Sequence, residues 1–192
     1  MLNLARPTDD GWFDRIRPHL DTILVDHCHL EKRAASNALN LIFRYTGRDG
    51  LARELSEVVK EEMDHFTLML DILEARDFPF VRLSPSTYAS RLSEAGTKQE
   101  PLAFLDKLLI AGLIEARSAE RFKILSERLD EPELAEFYAS LFATEARHHT
   151  LYTTLARRFF DHEKVRLRLL ELAELESEAL GAATDAPRLH SF

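Results

Sequence analysis

Six side chains stand out for the chemistry that their spacing allows: Glu31, Glu62 and His65, then Glu115, Glu145 and His148. Each trio is a Glu followed by a Glu-x-x-His, and the copies share a layout, with 31 residues from Glu31 to Glu62 and 30 from Glu115 to Glu145. Two helical hairpins would bring all six to one height. Two lone glutamates and two Glu-x-x-His pairs on four helices form the ligand set of a carboxylate-bridged dimetal centre. Four carboxylates with two imidazoles make a hard oxygen and nitrogen site suited to iron or manganese, unlike the thiolate sites of zinc or the all-oxygen loops of calcium. Two irons held in this way reduce dioxygen when electrons are delivered from outside; the metals carry the oxidising power, and the protein supplies ligation and a cavity.

The helices that must position these residues are legible in the hydrophobic register. Steps of four and three along one segment give Leu51, Leu55, Val58, Glu62, His65, Met69 and Ile72. Along another they give Leu134, Tyr138, Leu141, Glu145, His148, Tyr152, Leu155 and Phe159. The two remaining seams read Leu24, Cys28, Glu31, Ala35, Ala38, Ile42, Tyr45 and Leu105, Leu108, Gly112, Glu115, Ala119, Phe122. All four are small or apolar stripes interrupted by the candidate ligands. One seam Glu is commonly an arginine-paired core carboxylate, and one seam His a satisfied core group. Six at matched heights favour a metal, because a carboxylate buried without a cation costs several kcal/mol.

The spacing predicts a short helix near Thr8 to Arg17, stopped by Pro18, and long helices over about His19 to Tyr45, Asp49 to Asp77, Pro101 to Leu129 and Pro132 to Phe160. Asp130 and Pro132 supply N-cap and N1 signals for the fourth long helix. Residues 78–99, with Pro79, Pro85 and Gly96, read as a connection holding a brief helix after Ser84. An amphipathic helix over about Asp161 to Leu180 precedes a tail expected to fray. The first and third long-helix connections are short, so they make antiparallel hairpins; the middle one is long enough to traverse the bundle. The expected fold is therefore all-α, a ferritin-like four-helix bundle running up-down-down-up with one long crossover, plus short N-terminal, crossover and C-terminal helices. Residues 1–192 read as one domain, with the core bundle over about 19–160.

Composition agrees. Apolar residues make up 45% of the chain, with only 6 Gly and 7 Pro among 192 residues, which favours long helices. No apolar run approaches the roughly 18 residues needed to span a bilayer, and Met1 to Asp10 lacks a signal-type apolar stretch. The expectation is a cytoplasmic protein without a membrane partner. Cys28 is the single cysteine, so an internal disulfide is excluded, and its seam position reads as packing.

The motif surroundings resemble a known family. Asp26 to Ala35 (DHCHLEKRAA), Lys60 to His65 (KEEMDH), Ala111 to Glu120 (AGLIEARSAE) and Ala143 to Tyr152 (ATEARHHTLY) are similar to the MiaE family, the tRNA-(2-methylthio-N6-isopentenyl-adenosine-37) hydroxylases. The resemblance implies a di-iron monooxygenase that hydroxylates the isopentenyl group beside the anticodon. It also implies dioxygen and external reducing equivalents as co-reactants, an electron-donor protein, and the anticodon stem-loop of tRNA, not DNA, as the macromolecular partner. By class resemblance Glu62 and Glu145 are the bridging carboxylates. The runner-up reading is a ferritin- or rubrerythrin-like iron-oxidising or peroxide-scavenging protein. A Cys-x-x-Cys pair, as in a rubredoxin domain, is missing from the sequence.

Residues around the ligands carry further expectations. Many di-iron oxidases place Asp directly before the Glu of Glu-x-x-His to hold an imidazole; here Glu61 and Thr144 occupy those slots, and Arg147 is placed to pair with a carboxylate. His27 reads as a neighbour of the ligands or a surface residue, and His149 points away from the seam. Ala35, Ala38, Gly112 and Ala119 leave space beside Glu31 and Glu115, read either as a substrate pocket or as close helix packing. The net charge of -8 is unfavourable for RNA unless cations cluster. Arg44, Arg48 and Arg53, with Arg157, Arg158, Lys164, Arg166 and Arg168, are the cations expected at one end of the bundle; the alternative for the second group is a solvated helix face.

Overall fold

A computed structural model of the chain describes residues 2–84, 86–183 and 186–191, and among these every regular element is a helix. In chain order the helices are α1 (Trp12–Ile16), α2 (Leu20–Arg44), α3 (Leu51–Ala75), α4 (Tyr88–Ala95), α5 (Leu102–Arg128), α6 (Pro132–Phe159) and α7 (His162–Gly181). None of the described helices is long and apolar enough to cross a membrane. The four long helices and α7 fall where the periodicity puts them, within about two residues. The first helix is shorter than expected, and a 3-10 turn over Arg17–His19 carries the chain through Pro18 without a stop. Pro85 of the connection and residues 184–185 of the tail lie outside the described residues.

The chain divides into two compact units. The first, within His19–Pro85, is a hairpin of α2 and α3. Its turn uses Gly50 at φ 72°, the left-handed region that side-chain-bearing residues enter at a cost. On α3 the buried stripe is Leu51, Leu55, Val58, Glu62, His65, Met69 and Leu73. The seam thus ends on Leu73 instead of the expected Ile72, because a straight helix of 3.6 residues per turn drifts from a strict four-three repeat. Asp77 closes α3 in the left-handed region at φ 52°, and the Phe78 N–H returns 2.9 Å to the Leu73 carbonyl. The following strand-free segment is tied to its own hairpin: His29 Nε2 lies 2.8 Å from the Val81 carbonyl, and the Phe80 ring packs on His29, Phe66 and the Lys32 ammonium.

The second unit joins Met1–Pro18 to Ser86–Phe192 and is built on the α5–α6 hairpin. Pro132 occupies the first turn of α6 as expected, but the N-cap position is Glu131; Asp130 reaches Arg17 instead, at 2.5 Å. Asp161 caps α7 by accepting from the backbone N–H groups of Glu163 and Lys164. Helix α5 is buried on nearly every side, because α1, α4 and α7 pack on it besides α6. Its outward face holds two arginines with no exposed surface. Arg117 donates to both oxygens of Glu176 at 2.8 and 2.7 Å and to Glu120 at 2.6 Å, while the Tyr88 hydroxyl donates 2.9 Å to Glu176. Arg121 lies over the Trp12 ring and donates to the Leu189 and Ser191 carbonyls. The tail expected to fray is therefore docked. Leu189, His190 and Ser191 are buried, and His190 packs on Tyr88 with its Nε2 3.2 Å from Ser118 Oγ.

Candidate metal centre

Each unit holds one trio of candidate ligands on facing helices. In the first, Glu31 projects from α2 and Glu62 and His65 from successive turns of α3, where residues three apart share a face. All three are buried, and each offers a ligand atom within 4.8 Å of the others. His65 Nδ1 lies 3.5 Å from Glu31 Oε2 and 3.9 Å from Glu62 Oε2. In the second, Glu115 on α5 and Glu145 and His148 on α6 are buried, with His148 Nδ1 3.8 Å from Glu145 Oε2. The two Glu-x-x-His pairs thus repeat one geometry, as the sequence repeat requires.

The halves differ in what supports the lone glutamate. His27, one turn before Glu31, has no exposed surface and its Nε2 contacts Glu31 Oε1. Burial pushes the Glu31 carboxyl up, but the charge of His27 and hydrogen bonds from His27 and His65 outweigh it and hold the group well below the usual carboxylate range. At the corresponding place before Glu115 stands Ala111. Cys28, also buried on α2, has its thiol pushed up to about 12 by burial and by the Glu31 charge, which makes it a packing group.

The chemistry of the donors fits a cation. Carboxylates buried to this degree lose hydration that only a cation or strong donors replace, and each trio combines two oxygen donors with one imidazole, a hard mixed set. Among the residues flanking the ligands, Glu61 and Thr144 are half-buried and Arg147 is exposed.

Three other expectations meet the geometry. His149, expected to point away from the seam, is buried, and its Nδ1 donates 2.7 Å to the Gly112 carbonyl, with burial pushing its pKa down. Gly112 itself faces α6. A Cβ there would lie 3.2 Å from Tyr152 Cβ and 3.5 Å from the His149 carbonyl, so its missing side chain permits close helix packing. Ala35 and Ala38 on α2 and Ala119 on α5 are buried as well. Of the expected RNA-facing cations, Arg44, Arg48, Arg53, Arg157, Arg158, Lys164 and Arg166 are exposed, the last paired with Glu163; Arg168 grips Asp106 through two nitrogens at 2.8 and 2.7 Å.

Comparison with known proteins places this geometry. Residues 2–191 match the family described as tRNA-(MS[2]IO[6]A)-hydroxylase (MiaE). A tRNA 2-(methylsulfanyl)-N(6)-isopentenyladenosine(37) hydroxylase from Pseudomonas putida is 36% identical over 98% of this chain and 91% of its own length. The enzyme of the same description from Salmonella typhimurium is 30% identical over 96% of this chain and 86% of its own. Among solved structures, a Synechococcus protein described as having aldehyde deformylating oxygenase activity superposes with a TM-score of 0.94 at 39% identity, covering 98% of this chain and 95% of that one. The all-α, ferritin-like fold expected from the four seams is the fold of this chain.

Proposed function

Since the chain belongs to the MiaE family of tRNA hydroxylases, we propose that Glu31, Glu62, His65, Glu115, Glu145 and His148 are the ligands of a di-iron centre. The observation that carries this reading is the repeat of a buried lone Glu and a buried Glu-x-x-His pair, with His-to-Glu separations of 3.9 and 3.8 Å in the two units. Iron bound there supplies two-electron activation of dioxygen, drawing electrons from an external donor protein. The chain's own part is to fix the carboxylates and imidazoles, to keep bulk water from the ligands by burying them, and to set Glu31 against His27.

The substrate is the isopentenyl side chain of 2-methylthio-N6-isopentenyl-adenosine at position 37 of tRNA, and the product carries one added hydroxyl. The chain acts as a single domain in the cytoplasm. The exposed arginines Arg44, Arg48, Arg53, Arg157 and Arg158, with Lys164 and Arg166, support contact with the phosphates of the anticodon arm. Glu61, Thr144 and Arg147 are the candidates for holding the ligands from behind. Ala35, Ala38, Gly112 and Ala119 are the candidates for the substrate side of the centre.

Nucleosides from tRNA of a strain lacking the gene, compared with a complemented strain, test the activity: loss of the hydroxylated nucleoside supports it, and an unchanged profile rejects it. Iron content after anaerobic purification tests the centre, with about two irons per chain expected and none in the His65→Ala, His148→Ala double variant. Iron oxidation without nucleoside hydroxylation would favour the ferritin-like alternative. The likeness to the Synechococcus protein favours one second reading, an aldehyde deformylating oxygenase, which an aldehyde-deformylation assay on the same iron-loaded protein would detect.

A further inference from the structure

The face of α2 beyond Glu31 has a composition unlike the rest of the chain. The 17 residues from Lys32 to Arg48 include four cations, Lys32, Arg33, Arg44 and Arg48, and no carboxylate, in a protein whose net charge is -8. Asn37, Leu39, Asn40, Phe43 and Arg44 are exposed there. Phe43 is 71% exposed, the most exposed large apolar side chain among the described residues, and its i−4 neighbour Leu39 is 41% exposed on the same face. Arg44 packs over the Tyr45 ring, at 5.7 Å from the centroid.

We propose that this face of α2 is the surface on which the anticodon arm of the substrate tRNA lies, with Phe43 as a stacking platform for an unpaired base. Three kinds of group are present in the combination that single-stranded RNA recognition uses. An aromatic ring offers a π-face to any base, amides from Asn37 and Asn40 can meet base edges or 2′-hydroxyls, and Arg44 and Arg48 meet phosphates. The next carboxylates along the chain are Asp49, exposed in the turn directly after Arg48, and Glu54 in the first turn of α3, next to Arg53. Phe43 is 12 residues beyond Glu31. At 1.5 Å per residue it is about 18 Å along the helix from that ligand, a span that a few nucleotides cover. A second copy of this chain fits less well, because a two-fold interface pairing this segment with itself would offer Arg44 and Arg48 no carboxylate from Lys32 to Arg48.

The inference rests on tRNA being the substrate, and the experiment separates the two. Iron-loaded wild type, Phe43→Ala, Phe43→Trp, Asn40→Asp and Arg44→Glu/Arg48→Glu would be compared for binding and hydroxylation of a modified anticodon stem-loop. Phe43→Ala is expected to weaken binding about tenfold, raising KM with kcat nearly unchanged, and Phe43→Trp to restore it. The double arginine variant should lower the slope of log affinity against log salt by about 0.7 to 0.9 per lost contact. Iron content should stay at the wild-type value throughout. Affinity within twofold of wild type for both Phe43→Ala and Asn40→Asp, while wild type hydroxylates the stem-loop, would overturn the surface alone. Wild type that neither binds nor hydroxylates it would overturn the tRNA reading and this surface with it. Conversion of a dimer to a monomer by Phe43→Ala with RNA affinity intact would assign the face to self-association and reject the proposal.

Discussion

Replacing His27 by Ala removes a side chain with no exposed surface whose Nε2 contacts Glu31 Oε1. Loss of an outer partner of a metal-bound group commonly costs about 10- to 100-fold in metal affinity, or roughly 1.4 to 2.7 kcal/mol. The effect at Glu31 should carry a pH signature. Burial pushes the Glu31 carboxyl up and His27 is the leading group that pulls it down, so removing His27 raises its pKa. Metal requires the ionised carboxylate, so protons compete better in the variant and the affinity deficit grows as pH falls. Anaerobic equilibrium dialysis with ferrous iron or cobalt(II) at pH 6.5 and 7.5 would measure this. His27→Gln, which keeps a donor, should recover part of the loss, and His65→Ala serves as the positive control for a lost ligand. Affinity for His27→Ala within twofold of wild type at both pH values, with His65→Ala clearly impaired, would refute the reasoning and reduce His27 to a packing residue.

Other outcomes follow from the two units taken separately. Glu176→Ala leaves Arg117 buried with half its pairing gone, so it should destabilise by about 3 to 5 kcal/mol and lower Tm by roughly 10 °C, read by thermal denaturation; a change under 1 kcal/mol would remove the network from the account of stability. Gly112→Leu forces a side chain against Tyr152 and His149, so it should lower stability by at least about 1 to 3 kcal/mol and reduce metal content with it. Full stability and iron content with selective loss of hydroxylation would instead support a substrate pocket at Gly112. The Cys28 thiol, raised from 9.0 to about 12, should resist alkylation at pH 8.5 until the protein is unfolded. Since the unfolded chain loses that proton first, the group's contribution to stability is whole below about pH 9 and declines as pH rises toward 12. Rapid native-state alkylation would contradict its burial.

The candidate ligands were legible in the sequence because a buried carboxylate is an exception that periodicity exposes: Glu31, Glu62, Glu115 and Glu145 fall where a helix seam calls for an apolar residue. The long helices were legible for the same reason, with Gly50 and Pro132 marking a turn and a start. What periodicity cannot read is a helix buried on more than one face. The outward face of α5 carries Arg117, Ser118 and Arg121, which resemble a solvated stripe until α1, α4, α7 and the tail are packed on it. Their burial depends on partners 59 to 113 residues away, such as Glu176 and Thr8, and no local pattern encodes which distant segment arrives. Gly112 shows the same division. Its identity announces that a side chain is unwelcome, but only the approach of α6 decides that Tyr152 and His149 fill the space. Local spacing fixes which residues share a face; long-range packing fixes what that face meets.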